Sequence, residues 1–131
     1  MAPFTVTQRK RARRLAKSLL KEVGIPASLK GYAPLAECIA IVSEYPEKIE
    51  NFCALSAQAY KTLNMGFNYD SAYHCFDRCI STCFKRCSQE KLIEHFGCTL
   101  NPETGSLTAR EFVATAGVIV HDKTLRMREE Y

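Results

Sequence analysis

The stretch Asn68-Tyr-Asp-Ser-Ala-Tyr-His-Cys-Phe-Asp-Arg-Cys-Ile-Ser-Thr-Cys-Phe-Lys-Arg86 has the pattern of one long amphipathic helix. Asn68 can cap a helix that begins at Tyr69, and Asp70 in its first turn suits the positive end of the helix dipole. Side chains that recur at helical spacing predict a buried inner face made of Ala72, Phe76, Cys79, Ile80, Cys83, Phe84 and Cys87. Polar side chains predict a solvent-facing outer face made of Ser71, Tyr73, His74, Asp77, Arg78, Ser81 and Lys85.

The chain before this helix also has helical periodicity. A basic amphipathic segment, residues 8–23, ends at a Gly-Ile-Pro sequence that stops a helix. Pro34 suits the first position of the next helix, and a further helical stretch starts at Pro46. A short helix is predicted over residues 57–63, followed by a tight turn at residues 64–66. The side chains expected inside the stretch that starts at Pro46 are Ile49, Phe52, Cys53 and Leu55.

The chain after the long helix predicts two more helices. Ser88 can cap a short helix that ends at Phe96, with Gly97 as its stop. A turn at residues 101–105 is followed by a Thr-Ala-Arg-Glu capping box at residues 108–111, which predicts a final helix. Since no stretch has a strand pattern that can be defended, the sequence predicts an all-α fold.

The length and composition are those of one ordinary domain. The chain has 131 residues, of which 47% are hydrophobic and 24% charged, as is typical of a soluble globular protein. No apolar run approaches the roughly 20 residues that a membrane-spanning helix needs, and no N-terminal apolar stretch has the length of a secretory signal. We therefore expect a cytoplasmic protein with no membrane partner.

Charge is distributed unevenly along the chain. Residues 1–21 hold seven basic side chains and no acidic one, whereas the rest of the chain holds 11 basic and 14 acidic side chains. This asymmetry predicts a basic N-terminal arm with an electrostatic partner such as nucleic acid. A solvated helix face or a solubilising tail is the alternative. The arm residues expected to contact the DNA backbone are Arg9, Lys10, Arg11, Arg13 and Arg14.

Four of the seven cysteines recur every four residues along the long helix: Cys75, Cys79, Cys83 and Cys87. They span about 18 Å, which is too far for one tetrahedral zinc ion to bind all four. Because buried free cysteine packs as a small apolar side chain, this ladder predicts packing, and we expect no metal site and no cofactor. A metal site built from a neighbouring pair with His74, His95 or Cys98 stays open as an alternative.

Catalytic motifs are absent from the sequence, so an enzyme is not expected. There is no glycine-rich phosphate loop, no HExxH and no GxSxG. A nucleophilic cysteine with a histidine partner stays open, because such partners meet in space rather than along the chain.

A short helix, a glycine-containing turn and a long helix with a polar outer face predict a helix-turn-helix. In DNA-binding proteins the second helix of this motif lies in the major groove. Any helical bundle contains such stretches, so the pattern alone does not establish DNA binding.

Two motifs resemble a known family. Gly24-Ile-Pro-Ala-Ser-Leu-Lys-Gly-Tyr32 resembles the Gly-Val-Pro-Ala-His-Ile-Lys-Gly-Tyr segment in the effector domain of the sporulation initiation master regulator, a response regulator of endospore-forming Firmicutes. Phe96-Gly-Cys-Thr-Leu100, followed after a fixed interval by Thr108 and Glu111-Phe-Val113, resembles the family's Phe-Gly-Tyr-Thr and Ser-Glu-Phe-Ile. The resemblance covers the chain from about Leu15 to Val120.

The resemblance implies a six-helix bundle of winged-helix-like effector-domain type, with a helix-turn-helix whose recognition helix is Tyr69–Arg86. Residues 1–21 would be the basic arm leading into the first helix, 22–124 the effector domain and 125–131 a tail. The implied partner is double-stranded promoter DNA, on which two copies can pair head to tail on tandem sites. The helix cysteines fall where the family has alanines and a glycine, which favours packing. The 131 residues leave no room for the family's receiver domain, so we expect a stand-alone effector domain.

The recognition helix departs from the family pattern. The family carries several arginines and a glutamate in its first turns, where this chain has Asp70, Ser71, Tyr73, His74 and Asp77. We therefore expect a transcriptional regulator with altered base reading. The expected DNA-binding residues of the helix are Ser71, Tyr73, His74, Arg78, Lys85 and Arg86, of which Arg86 matches a family arginine. A protein-interaction module that keeps the fold but has lost sequence-specific DNA binding is the alternative. Gly24 and Gly31 are expected to supply turn conformations.

Overall fold

The computed structural model describes residues 4–96 and 108–126, and every regular element among them is helical. Six α-helices and one short 3-10 helix follow in order: α1 Val6–Glu22, α2 Tyr32–Glu44, the 3-10 helix Pro46–Glu50, α3 Phe52–Thr62, α4 Tyr69–Arg86, α5 Gln89–Phe96 and α6 Ala109–Arg126. The predicted all-α bundle is confirmed.

Helix α2 is the centre of the bundle. It is buried on nearly every side, which is the pattern of a helix surrounded by others. Helices α1, α3 and α6 pack around it. The fully buried aromatic side chains Phe76, Phe96 and Phe112 join α4, α5 and α6 to the same core. One continuous core therefore fixes the position of every helix, including the predicted recognition helix.

Helix α1 contains most of the segment that the charge pattern predicts as an arm. Thr5 and Gln8 form a capping box at its start, which satisfies amide groups that would otherwise lack partners. Its inner side buries Ala12, Ala16, Leu19 and Leu20. The basic segment is therefore mostly a helix that packs against the bundle.

Helix α3 is longer than predicted, and one of its side chains faces the other way. It runs without a break from Phe52 to Thr62, and only the residues from Pro46 to Glu50 form a separate 3-10 turn. The prediction that Cys53 lies inside is wrong, because this thiol is exposed. A helix rotates by about 100° per residue, so the burial of Phe52 directs its neighbour outward.

The turn between α3 and α4 follows helix-capping rules. Asn64 has a φ of 58°, and the amide of Met65 donates to the carbonyl of Tyr60 at 2.9 Å, which together end α3 in the Schellman pattern. The Asn68 side chain accepts a hydrogen bond from the amide of Ser71 at 3.0 Å. Both the predicted tight turn and the predicted cap of the long helix are confirmed.

The caps of the last two helices are also confirmed. Ser88 accepts from the amide of Lys91 at 3.3 Å. Thr108 and Glu111 exchange backbone-to-side-chain bonds of 2.9 and 3.2 Å, as a capping box requires. The predicted stop at Gly97 and the predicted turn at 101–105 lie outside the described residues. None of the described helices is long and apolar enough to cross a membrane.

Candidate nucleic-acid interface

Helix α4 presents the predicted inner face to the core. Ala72, Phe76, Cys79, Ile80 and Cys83 are buried, and Phe84 and Cys87 are partly buried at the edge of the same face. Its acidic residues lie in the first half and its basic residues, apart from Arg78, in the last turn, as the helix dipole favours. The opposite side of this firmly packed helix is open to solvent.

The loop from Gly24 to Tyr32 supports α4 at two points. Gly24 has a φ of +87°, and a Cβ built there would lie 3.0 Å from Cβ of Arg86. Gly31 has an ordinary φ of −81°, but a Cβ built there would lie 2.7 Å from the carbonyl oxygen of Cys75. The expectation that both glycines supply turn conformations holds for Gly24 and is wrong for Gly31, where glycine is needed because α4 comes so close.

A cleft of about 450 Å³ lies between this loop and α4. Three nitrogen-bearing side chains border it: Lys30 from the loop, and His74 and Arg78 from the helix. Cys75 of α4 and the loop residues Ser28, Leu29 and Gly31 complete its lining. An open cleft bordered by such side chains offers hydrogen-bond donors to a phosphate or to the acceptor edge of a base.

Four of the predicted DNA-binding residues lie together on the outer face of α4: Ser71, His74, Arg78 and Lys85. All four are exposed, and at about 100° per residue they fall within an arc of roughly 60°. The row runs along the helix and borders the cleft at His74 and Arg78. A straight row of polar side chains on an exposed helix is the arrangement that enters a major groove.

Tyr73 lies apart from that row. It is half-buried on the flank of α4, with its ring centroid 6.0 Å from that of Tyr69. Burial and the nearby Asp77 carboxylate raise the pKa of the Tyr73 hydroxyl. The structure therefore groups Tyr73 with an aromatic and acidic flank and not with the exposed row. Arg86 is exposed at the end of the helix, where its Cβ faces Gly24.

Three of the five predicted arm residues are engaged within the protein. Arg9 donates two hydrogen bonds of 2.8 Å to the carboxylate of Glu44 on α2. Arg13 lies 3.3 Å from the carboxylate of Glu37, also on α2. Arg11 is buried, and its guanidinium donates to the backbone carbonyl of Thr124 on α6 at 3.3 Å. These side chains attach α1 to its two neighbouring helices.

The other two arm residues, Lys10 and Arg14, are exposed, and two lysines outside the predicted set lie on the same side of α1. These are Lys17 and Lys21, whose spacing of four, three and four residues from Lys10 onward places all four on one face. That spacing is visible in the sequence, so Lys17 and Lys21 could have been predicted as members of the same basic surface.

The predicted packing of the cysteine ladder holds for Cys79 and Cys83, which are buried in the core, whereas Cys75 and Cys87 are only half-buried. Burial raises the pKa of Cys79 to about 11 and that of Cys83 to about 12, so both thiols stay protonated. Within residues 4–96 and 108–126 no cluster of histidine, cysteine, aspartate or glutamate side chains has the geometry of a metal site. Cys98, one of the candidate ligands, lies outside the described residues.

A family model matches most of this chain. The family model described as "Sporulation initiation factor Spo0A C terminal" matches residues 16–119, which is most of the chain. The matched range contains the loop, the helix-turn-helix and the exposed row of α4. A search of curated protein sequences finds no significant match.

Proposed function

Because this chain belongs to the Spo0A C-terminal family of DNA-binding regulatory domains, which are not enzymes, we propose that it regulates transcription by reading a DNA sequence of its own. Its base contacts would come from the exposed row of α4, at positions where the side chains differ from the family's. Such a function is exercised on promoter DNA, in the cytoplasm.

Arg78 is the base-reading residue that this proposal favours most. Its exposed side chain borders the cleft beside Lys30, and an arginine can bind the major-groove edge of guanine with two parallel hydrogen bonds. His74 lies one turn and Ser71 two turns nearer the start of α4, where recognition helices approach base edges. Lys85 and Arg86 in the last turn suit backbone phosphates.

The observation that carries the proposal is the joint support of α4 by the two glycines of the loop. A base-reading helix must be held at a fixed height and angle, and here the loop backbone touches α4 near Cys75 and again near Arg86. These two contacts fix the position of α4 against the loop, while its row of polar side chains stays exposed.

A protein-interaction module is the second candidate, and the flank of α4 favours it. Asp70 and Asp77 are exposed on this helix, and carboxylates repel phosphates. Phe67 and Tyr69 are exposed beside them at the start of the helix. An acidic surface with exposed aromatic rings suits a protein partner better than a DNA backbone.

Selection from a pool of randomised duplexes, followed by sequencing, distinguishes the two candidates. A DNA-reading regulator enriches a defined motif, and binding to that motif measured by fluorescence anisotropy exceeds binding to a scrambled duplex. A motif that occurs twice in tandem would further support pairing of two copies on DNA. Recovery of the pool without enrichment would contradict sequence reading and favour the interaction module.

A further inference from the structure

Four basic side chains form a row along the solvent side of α1: Lys10, Arg14, Lys17 and Lys21. All four are exposed, and their spacing places them within an arc of about 60°, opposite to the buried side of the helix. At a rise of about 1.5 Å per residue the row is roughly 16 Å long. We call it the α1 basic row.

The charge of this row is not neutralised within the part of the chain that the structure describes. None of its four members forms an ion pair with residues 4–96 or 108–126. The single acidic residue of α1, Glu22, lies 3.0 Å from Nε2 of His95. In contrast, the neighbouring Arg9 and Arg13 are held by carboxylates of α2. The protein therefore uses one set of α1 cations for folding and leaves another set facing solvent.

The row lies next to the loop that supports the recognition helix. The hydroxyl of Tyr32 donates to the backbone carbonyl of Lys17 at 3.1 Å, which joins the end of the loop to the middle of the row. The same loop lines the cleft, which Lys30 and Arg78 both border. Positive charge thus extends from α1 across the loop to α4.

We propose that the α1 basic row binds backbone phosphates of the same DNA duplex that α4 reads. The inference rests on the proposed function and adds a second contact surface to it. Duplex DNA carries one negative charge per about 1.7 Å of its axis, so a row of this length faces several phosphates. Phosphate contacts carry no sequence information, and the row therefore adds affinity and orientation equally on all sequences. It acts as a fixed helix face and not as an arm that enters the minor groove.

Two variants with the same loss of charge test this inference. The row variant combines Lys10→Gln, Arg14→Gln and Lys17→Gln, and the control variant combines Lys91→Gln, Lys123→Gln and Arg126→Gln on α5 and α6. Their binding to the enriched duplex and to a scrambled duplex is measured by fluorescence anisotropy from about 50 to 300 mM salt. The logarithm of the binding constant falls linearly with the logarithm of salt, with a slope of about −0.9 per phosphate contact.

We expect the row variant to bind both duplexes at least about tenfold more weakly at low salt, with a slope smaller by about 2 to 3. The ratio between the two duplexes stays unchanged, and the control variant keeps a slope close to that of the wild type. Equal losses of DNA affinity in the row variant and the control variant would overturn the inference, because the change in net charge alone would then explain them. Unchanged binding by the row variant would overturn it as well.

Failure of the proposed function has a different signature, since the wild type would then not distinguish the enriched duplex from the scrambled one. Circular dichroism melting shows whether each variant folds. If the row variant is less stable, the single changes Lys10→Gln and Arg14→Gln still each lower the slope by about one. Displacement of the duplex by poly-L-glutamate as effectively as by unlabelled duplex would show that the row binds any polyanion, which overturns a DNA-specific role.

Discussion

Gly31 and Cys75 are held so close that a methyl group on Gly31 would lie 2.7 Å from the Cys75 carbonyl oxygen. The backbone of Gly31 has a conformation that any residue adopts, so α4 is the reason for the glycine. The obstacle is backbone and not the end of a flexible side chain, so it cannot rotate away. This contact sets the distance between the loop and α4.

Gly31→Ala is expected to destabilise the protein by about 1–3 kcal/mol, because the added methyl group must push the loop away from α4. Urea unfolding followed by circular dichroism measures the change. Gly66→Ala is the matched control, since nothing lies within 4 Å of a Cβ built there, and it should stay within about 0.5 kcal/mol of the wild type. Similar effects of the two changes would contradict the steric explanation.

Arg78→Lys is expected to abolish the preference for one base pair of the enriched motif, a loss of about 1–3 kcal/mol of discrimination. Lysine keeps the charge but lacks the planar fork that binds two acceptors of one base. Anisotropy with duplexes that differ at single positions measures the preference. Lys85→Ala serves as the contrast and should weaken binding to all sequences alike. A base preference that survives Arg78→Lys would exclude Arg78 as a base reader.

The stability of the protein is expected to fall in acid through Glu44. Hydrogen bonds from Arg9 lower the pKa of this buried carboxyl below its usual 4.5. A carboxyl with a lowered pKa in the folded state stabilises the protein above about pH 4.5, and this stabilisation is lost as the pH falls through the folded-state pKa.

Glu44→Gln should therefore reduce the free energy of unfolding at pH 7, and the difference from the wild type should shrink below pH 4.5. Urea unfolding at a series of pH values measures it. Glu47→Gln, an exposed change three residues away, should leave the pH dependence unaltered. If the difference in the free energy of unfolding between Glu44→Gln and the wild type stayed constant with pH, the stabilisation by the Arg9 contact would not depend on the charge of Glu44.

The thiols are expected to differ in reactivity according to burial. Cys53 is exposed and should react with iodoacetamide in the folded protein at pH 8. Cys79 and Cys83, whose pKa values burial raises to about 11 and about 12, should react at least about 100-fold more slowly. Mass spectrometry of the digested protein identifies each modified cysteine, and urea should remove the difference. Fast modification of folded Cys79 would contradict its place in the core.

Local signals predicted the helices well. The caps at Asn68, Ser88 and Thr108 depend on residues within a few positions of each other, and all three form the expected bonds. The burial of Cys53 was mispredicted because the sequence does not reveal where α3 begins relative to the 3-10 turn. A shift of one residue rotates a helix by about 100°, which is enough to turn a side chain outward.

The candidate site was predicted in part, since the outer face of α4 follows from helical periodicity. Helical periodicity does not show which of the basic N-terminal side chains form ion pairs within the protein. Arg9 meets Glu44, which is 35 residues away, so no local pattern shows that this cation is already occupied. The requirement for glycine at residue 31 likewise depends on a distant backbone carbonyl. Both features depend on contacts between parts of the chain that are distant in sequence, which composition and residue spacing do not reveal.

The residues that position α4 differ from the residues that would contact DNA under the proposed function. The residues that hold it, Gly24, Gly31 and the buried side of the helix, are distinct from Ser71, His74 and Arg78 on its exposed side. Exposed side chains can therefore be exchanged without shifting the position of α4. Under the proposed function, exchange of these three outer side chains would be a practical route to changing the target sequence by design.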